Sequence, residues 1–126
     1  MTVYVDDMRA PYGRMIMCHM IADTDGELHA MAQRVGVARK WHQAPPRHDS
    51  HYDICLAMRA KALSAGAVAI TWRQAGSMTL RRRATGSLGS PEDAVAWCAA
   101  FRLRKKTVIA VDSPVQTFPC PPTQPR

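Results

Sequence analysis

Carboxylate and imidazole side chains occur in this sequence where predicted strands end. Asp6 closes the β-rich run 2–6, and His19 alone interrupts the apolar run 15–21, whose length favours a buried strand. Asp23 follows two residues after that run and precedes a predicted helix. Converging carboxylates and imidazoles are suited to bind a divalent metal ion or to transfer protons.

A second polar group precedes a helix predicted over residues 51–65. Ser50 with Asp53 fits the pattern of a capping box, which places His51 and Asp53 in the first turn of that helix. Ligands of open parallel sheets bind beyond the carboxyl ends of strands, beside helix N-termini. We therefore expect Asp6 and Asp23 to be metal or water ligands and His19 and His51 to be ligands or general acid–base groups. Asp53 would orient an imidazole.

Each of these residues also has a purely structural interpretation. Asp6 can simply end a strand, and Asp23 and Asp53 can simply cap helices. His19 can be a hydrogen-bonded core histidine. Familiar catalytic signatures are missing from the sequence, since it contains no G-x-G-x-x-G, P-loop, G-x-S-x-G or H-E-x-x-H motif. The sequence therefore contains none of the motifs that would most simply identify a dinucleotide enzyme, a P-loop NTPase, an α/β-hydrolase or a zincin.

The basic residues are concentrated in the last third of the chain. The chain has 17 Lys and Arg residues against 10 Asp and Glu, a net charge of +7. Most of the excess lies in two runs, which comprise Arg81, Arg82, Arg83, Arg102, Arg104, Lys105 and Lys106. Such a surface attracts phosphate or an acidic partner. If the first run is an exposed loop, as its sequence suggests, replacing it with alanine leaves folding intact.

Length and composition indicate one domain. A chain of 126 residues with 47% apolar and 21% charged residues can bury a core without disulfides or metals. No apolar run approaches the ~18 residues of a membrane span, and the acidic start does not resemble a signal peptide. The four cysteines form no C-x-x-C pair. We expect a cytoplasmic protein with reduced thiols and no membrane association.

Strand-like and helix-like segments alternate along the chain. Strands are predicted at 2–6, 15–21, 37–41, 67–71 and 107–112, helices near 24–35, 51–65 and 91–104, and a loop or hairpin at 74–90. This pattern is typical of a small α/β sandwich with a mostly parallel sheet and helices packed on it. The domain is expected to span residues 1–112, and the proline-rich tail 113–126 to be extended or disordered.

Five short segments resemble a known family. They are Val3-Tyr-Val-Asp-Asp7, Cys18-His-Met-Ile-Ala-Asp23, Glu27-Leu-His29, His51-Tyr-Asp53 and Gly66-Ala-Val-Ala-Ile70. In order and spacing they are similar to the bacterial and phage family called domain of unknown function 4031. The resemblance covers residues 2–75 and leaves 76–112 as a basic extension. Gly26 departs from it, because the family has glutamate there. The family has no assigned activity, so the resemblance implies no reaction.

Two classes of function remain open. The first is a metal-assisted or acid–base hydrolase that acts on a phosphate-containing substrate, such as a nucleotide or nucleic acid, with a divalent metal ion as its cofactor. The second is a non-catalytic accessory protein of phage type that grips an acidic protein or nucleic acid through its basic third. Catalysis requires the strand-end residues to lie in one pocket, whereas a binding module can keep them scattered.

Overall fold

A five-stranded mixed sheet with helices on both faces forms the centre of the fold. The computed structural model describes the backbone of residues 2–44 and 46–112 and the side chains in these ranges as far as Lys105. The elements are, in chain order, β1 (Val3–Val5), β2 (Ala10–Tyr12), β3 (Met15–Ala22), α1 (Asp25–Val35), β4 (Tyr52–Cys55), α2 (Leu56–Ser64), β5 (Val68–Ala69), α3 (Trp72–Thr85) and α4 (Pro91–Asp112). Two 3-10 turns, Arg39–Trp41 and Arg47–Asp49, lie between α1 and β4.

β3 is the central strand, and it has partners along both of its edges. Met17 lies between a residue of β4 on one side and Ala10 of β2 on the other. Met20 lies between a residue of β4 and Val5 of β1. β4 therefore occupies one edge of β3, while β1 and β2 follow one another along the other edge. These pairings are antiparallel, and β5 joins β1 in parallel.

The prediction of an α/β fold is confirmed, but the prediction of a mostly parallel sheet is wrong. The segments that join β1, β2 and β3 are much shorter than the crossover of a dozen or more residues that parallel strands need. Gly13, with a φ of 62°, turns the β2–β3 hairpin within two residues. After α1, residues 36–51 return the chain to the end of the sheet where β3 stopped, so β4 also runs antiparallel to β3.

The two faces of the sheet bury different side chains, as strand alternation requires. Val5 and Met20 point to the face covered by α1 and α2, where they belong to the same core as Leu28. Ile21 points to the opposite face and belongs to a second core with Met78 of α3. The helical hairpin of α3 and α4 covers that second face only around the ends of β1 and β3.

The predicted ends of α1 and the predicted start of α4 are confirmed. Thr24 caps α1, because its Oγ1 accepts a hydrogen bond from the Glu27 N–H at 3.2 Å. Gly36 ends the helix with a φ of 92°, a conformation that favours glycine. Pro91 occupies the first position of α4, where its missing N–H has no intrahelical partner to lose.

Three predicted elements are wrong. Residues 107–112 continue α4 instead of forming a strand, because neither proline nor glycine interrupts the helix after Pro91. A short apolar run cannot be assigned to strand or helix by periodicity alone. Residues 37–41 contain a 3-10 turn in place of a strand. The predicted loop 74–90 is largely α3, since Thr71 and Gln74 form a capping box that starts a helix.

The three arginines predicted to lie in a loop belong to α3 and have different surroundings. Arg81 pairs with Asp93 of α4 at 3.1 Å. Arg82 is buried, and its guanidinium donates at 2.8–3.2 Å to the backbone carbonyls of Ala22, His48 and Ser50. Arg83 is exposed.

The second basic run lies farther along α4. Arg102, Arg104 and Lys105 are exposed, and Arg102 lies nine residues beyond Asp93, about 14 Å along the helix axis. The two basic runs therefore do not form one compact cluster. The Lys106 side chain and the predicted tail 113–126 lie outside the described residues. In the part of the chain that is described, no helix is long and apolar enough to cross a membrane.

Replacing Arg82 with alanine is expected to destabilise the fold by about 3 kcal/mol, because three carbonyls lose their buried donor. This corrects the expectation that the whole run can be removed without effect. Arg83→Ala is the matched control and should change stability by less than about 0.5 kcal/mol. Urea unfolding at pH 7 measures both variants, and equal stabilities would show that Arg82 has no structural role.

Candidate functional site

Asp6, His19 and Asp53 lie side by side across three adjacent strands. Val5 of β1 faces Met20 of β3, so the antiparallel register brings the next residue, Asp6, opposite His19. On the other edge of β3, His19 faces Asp53 of β4. Strand alternation directs all three side chains to the face opposite to Val5 and Met20, which is the face that α3 and α4 only partly cover.

The Asp6 carboxylate takes the place of its own backbone carbonyl in the sheet. The Asp6 N–H donates to the His19 carbonyl at 3.0 Å, but the His19 N–H donates to Asp6 Oδ1 at 2.8 Å. The Asp6 carbonyl instead accepts a hydrogen bond from Arg59 Nε of α2 at 2.7 Å. Asp6 Oδ1 also accepts from the Met8 N–H at 3.1 Å. The turn between β1 and β2 is therefore built on this one carboxylate.

The same carboxylate orients the His19 ring. Asp6 Oδ2 lies 2.7 Å from His19 Nδ1, and Asp6 is only 1% exposed. His19 Nε2 is thereby directed towards Asp53 Oδ1, 3.6 Å away. Because the His19 N–H and C=O both point to Asp6, His19 and Asp53 form a non-hydrogen-bonded pair, the kind in which side chains approach most closely.

His51 completes the group from the start of β4. Its Nδ1 donates to the Asp49 carbonyl at 2.6 Å, which leaves Nε2 facing Asp53 Oδ1 at 3.4 Å. Asp53 Oδ2 accepts a hydrogen bond from Gln43 Nε2 at 2.7 Å. The predicted position of His51 and Asp53 in a helix turn is wrong, because Tyr52–Cys55 is a strand and α2 begins at Leu56. Two-residue spacing on a strand still places both side chains on one face.

Opposite charges alternate across the group, and they shift the pKa of each member. Burial would raise the pKa of Asp6, but the hydrogen bonds from His19 and Met8 outweigh it and hold the pKa low. The hydrogen bond to Asp6 raises the pKa of His19 against the effect of burial. Burial would lower the pKa of His51, but Asp53 and the Asp49 carbonyl raise it. The hydrogen bond with His51 is the main cause of the lowered pKa of Asp53.

The free ring nitrogens and one carboxylate oxygen converge on one point. One ligand atom each from His19, His51 and Asp53 lies within 4.8 Å of the other two. Ligands at about 2.0–2.1 Å from a tetrahedral ion lie about 3.3 Å apart, close to the two distances measured to Asp53 Oδ1. These two distances are compatible with a shared ion, and the third, between the two imidazoles, is at most 4.8 Å. Among the described residues, no other group of this kind is found.

The remaining candidate residues are placed elsewhere. Asp6 contacts the group through hydrogen bonds with His19, but it is not one of the three converging ligand residues, so its role is to position His19. Asp23 lies at the end of β3, four residues from His19 and about 13 Å along the strand. Its Oδ2 accepts a hydrogen bond from the Thr2 N–H at 3.1 Å.

Two cavities open on either side of the group. The smaller, about 270 Å³, lies towards α3 and is bordered by Asp6, His19, His51 and Trp72. The larger, about 550 Å³, has His19 and Asp53 in its wall. We call it the apolar groove, after the side chains that form the rest of its lining, chiefly Met8, Pro11, Tyr12, Met15, Met17 and Trp41.

Sequence reasoning did not identify Gln43, the Asp49 carbonyl or the apolar groove. Gln43 lies in a loop with no recognisable motif, and it reaches the site because it forms an isolated β-bridge with His51. The available sequence signal for the groove was Trp41 beside a proline-containing segment, and the structure shows that Trp41 is exposed.

A second pair of histidines fixes this loop from the other face of the sheet. His29 Nδ1 lies 2.7 Å from the Tyr52 hydroxyl, and His42 Nε2 lies 2.7 Å from Ser50 Oγ. Ser50 Oγ in turn donates to Asp25 Oδ1 at 2.6 Å. These bonds tie residues 42–52 to α1, and they hold the segment that carries His51 against the sheet.

The fold and the site together define an α/β protein with two histidines and one carboxylate gathered on an open sheet face. The chain belongs to the family described as Protein of unknown function (DUF4031), whose model matches residues 3–83. The resemblance seen in the sequence is thus confirmed, and the match extends beyond residue 75. All residues of the site lie inside it. Searches of curated proteins and of solved structures found no significant match.

The Asp6–His19 ion pair predicts a pH-dependent stability of the metal-free protein. The raised pKa of His19 stabilises the fold fully below the ordinary value of 6.5, and this contribution is lost as pH rises through the folded-state pKa. The lowered pKa of Asp6 stabilises the fold above the ordinary value of 3.8 and is lost as pH falls. The pair is therefore strongest between these two values.

Urea unfolding in EDTA at low salt, at pH 5.5 and pH 9, tests this prediction. The stability difference between the wild type and Asp6→Asn should be larger at pH 5.5. A double-mutant cycle with His19→Asn separates the pair from other effects of each substitution. A difference that is the same at both pH values would contradict the ion pair.

Proposed function

We propose that His19, His51 and Asp53 bind a first-row divalent metal ion, with Zn²⁺ the best match, and that the protein is a metal-assisted hydrolase. Two imidazoles and one carboxylate are a ligand set from which catalytic zinc sites are built, with the fourth position left for water. When bound, such an ion lowers the pKa of its water to near neutrality and so supplies a nucleophile.

The observation that carries the proposal is the shared orientation of the two imidazoles. Each has its Nδ1 engaged, His19 by the Asp6 carboxylate and His51 by the Asp49 carbonyl. Each therefore presents Nε2 to the same carboxylate oxygen, Asp53 Oδ1. Metal-binding histidines in proteins are held in this way, by a carboxylate or carbonyl on the other ring nitrogen.

The surroundings of the group are suited to hydrolysis. Gln43 fixes the second oxygen of Asp53, so that Oδ1 remains directed to the imidazoles. His19 and Asp53 border the apolar groove, which gives a substrate access to the group from one side. If no metal ion binds, the alternative is an acid–base mechanism. It would use His19 as the proton-transfer group, with Asp6 orienting its ring.

Isothermal titration calorimetry with Zn²⁺ tests the site. His19→Ala, His51→Ala and Asp53→Ala should each weaken binding at least 100-fold, because each removes one of three ligands. Asp6→Asn should weaken it about 10–100-fold. The asparagine Nδ2–H faces Nδ1, so a neutral His19 must carry its proton on Nε2 and loses the lone pair that binds the ion.

Two further variants serve as comparisons. His48→Asn removes a histidine outside the group, whose contact with Arg82 uses only its backbone carbonyl, and it should leave Zn²⁺ affinity unchanged. The sequence predicts that Asp23 is a metal ligand, but the structure places it away from the group. Asp23→Asn should therefore also leave Zn²⁺ affinity unchanged. The metal site is refuted if the wild type does not bind Zn²⁺, or if binding survives loss of His19 and His51.

A second candidate function, binding of a nucleic acid or an acidic protein, rests on the exposed residues Arg83, Arg102, Arg104 and Lys105. Since Arg82 is buried, the informative variant is Arg83→Ala with Arg102→Ala. Affinity for duplex DNA should fall with salt, and each phosphate that the variant no longer neutralises should flatten the slope of log K against log salt by about 0.9. Fluorescence anisotropy measures this slope. No binding at low salt, or an unchanged slope, would exclude this function.

A further inference from the structure

The apolar groove concentrates exposed apolar side chains beside the candidate metal ligands. Tyr12 is 69% exposed, Trp41 60%, Met15 47% and Met8 45%, although each is large and apolar. Isolated exposed apolar side chains are ordinary, but several that line one concave surface indicate a binding site. Its volume of about 550 Å³ lies in the range of pockets for small molecules.

Apart from the candidate metal ion and its two imidazoles, the described linings of the groove and of the smaller cavity offer no cation to a phosphate group. The described residues that line the two cavities include no lysine and no arginine. The charged side chains in the groove wall are His19 and Asp53, the candidate ligands themselves. The exposed arginines of α3 and α4 do not border either cavity. Beyond the ion itself, a phosphate dianion would meet a carboxylate and several thioethers, with no arginine or lysine among the described lining residues. The nearby Lys40 Nζ lies outside this lining, 5.3 Å from the centroid of the Trp41 ring.

From this contrast, and resting on the proposed function, we infer that the substrate is an uncharged acyl compound, a carboxylic ester or amide, whose aromatic or aliphatic group lies in the apolar groove. Trp41 and Tyr12 provide flat surfaces for an aromatic ring, and methionines adapt to irregular shapes. The scissile carbonyl would then lie at the end of the groove formed by His19 and Asp53.

The reaction is hydrolysis at the acyl carbon. The oxygen of water forms a bond to that carbon, and the bond from the carbon to the alcohol oxygen or amine nitrogen breaks with its electron pair leaving on the heteroatom. The proton released by the water passes to that heteroatom. One ester or amide and one water thus give one carboxylic acid and one alcohol or amine, with no other reactant.

The test compares substrates that share an aromatic leaving group. The rate enhancement by the Zn²⁺-loaded protein, which is kcat/KM divided by the rate constant of the uncatalysed reaction in the same Zn²⁺-containing buffer, should be at least 100-fold larger for 4-nitrophenyl benzoate than for 4-nitrophenyl phosphate. Trp41→Ala should raise KM for the ester about tenfold with little change in kcat, since the indole would bind the substrate away from its reacting atoms. Leu103→Ala, which removes an exposed apolar side chain on α4, is the matched control and should change neither constant.

Binding of Nile red, an uncharged dye whose fluorescence rises in apolar surroundings, measures the groove without catalysis. The wild type should bind the dye, and Trp41→Ala with Tyr12→Ala should weaken binding at least tenfold. The inference is overturned if the protein prefers the phosphate ester, or if these variants change neither dye binding nor KM. If the same protein still binds Zn²⁺, the metal site itself stands. Failure to bind Zn²⁺ with normal dye binding would instead refute the metal site and, with it, the reaction inferred here.

Discussion

The buried carboxylate of Asp6 is the constraint on which the rest of the structure depends. It accepts hydrogen bonds from two backbone N–H groups and lies 2.7 Å from the His19 ring, which together outweigh the cost of burying a charge. The bond from the His19 N–H joins β1 to β3, and the bond from the Met8 N–H shapes the turn into β2. The bond to the ring fixes which nitrogen of His19 faces Asp53. One side chain thus determines both the local sheet geometry and the tautomer at the site.

The ends of α1 and the start of α4 could be predicted because their signals are local. Thr24 with Glu27 at the start of α1, and Pro91 at the start of α4, act through hydrogen bonds and dihedral angles within one turn. The direction of the strands could not be predicted in this way. For β4 it depends on whether the segment after α1 carries the chain across the sheet or back to the same end. The hydrogen bonds that link His42 to Ser50 and Ser50 to the Asp25 carboxylate decide this through contacts distant in sequence.

The residues that belong to the candidate site could be predicted better than their arrangement in space. His19 stood out because it interrupts an apolar run, and Asp6 because it ends a strand. Asp53 had two interpretations, a helix cap or a residue that orients an imidazole, and both placed it in the first turn of a helix. The alternating burial of Tyr52 and Ile54 identifies a strand instead. Arg82 shows the opposite case. A run of three arginines indicates an exposed basic surface, but a helix turns each residue about 100° from the last, so one of the three faces the core.

The position of the apolar groove follows from the same local arrangement at Asp6. Because the carboxylate turns the chain through residues 6–9 before β2 begins, β2 and the first half of β3 extend the sheet past the end of β1. The α3–α4 hairpin packs on Tyr4 and Ile21 and does not reach this extension, so Met15 and Met17 lack a covering helix on the face they share with His19. An oriented imidazole and an uncovered apolar surface therefore arise together at the boundary between the packed and the open half of one sheet face. A substrate that uses both must present a reactive group directly beside an apolar one.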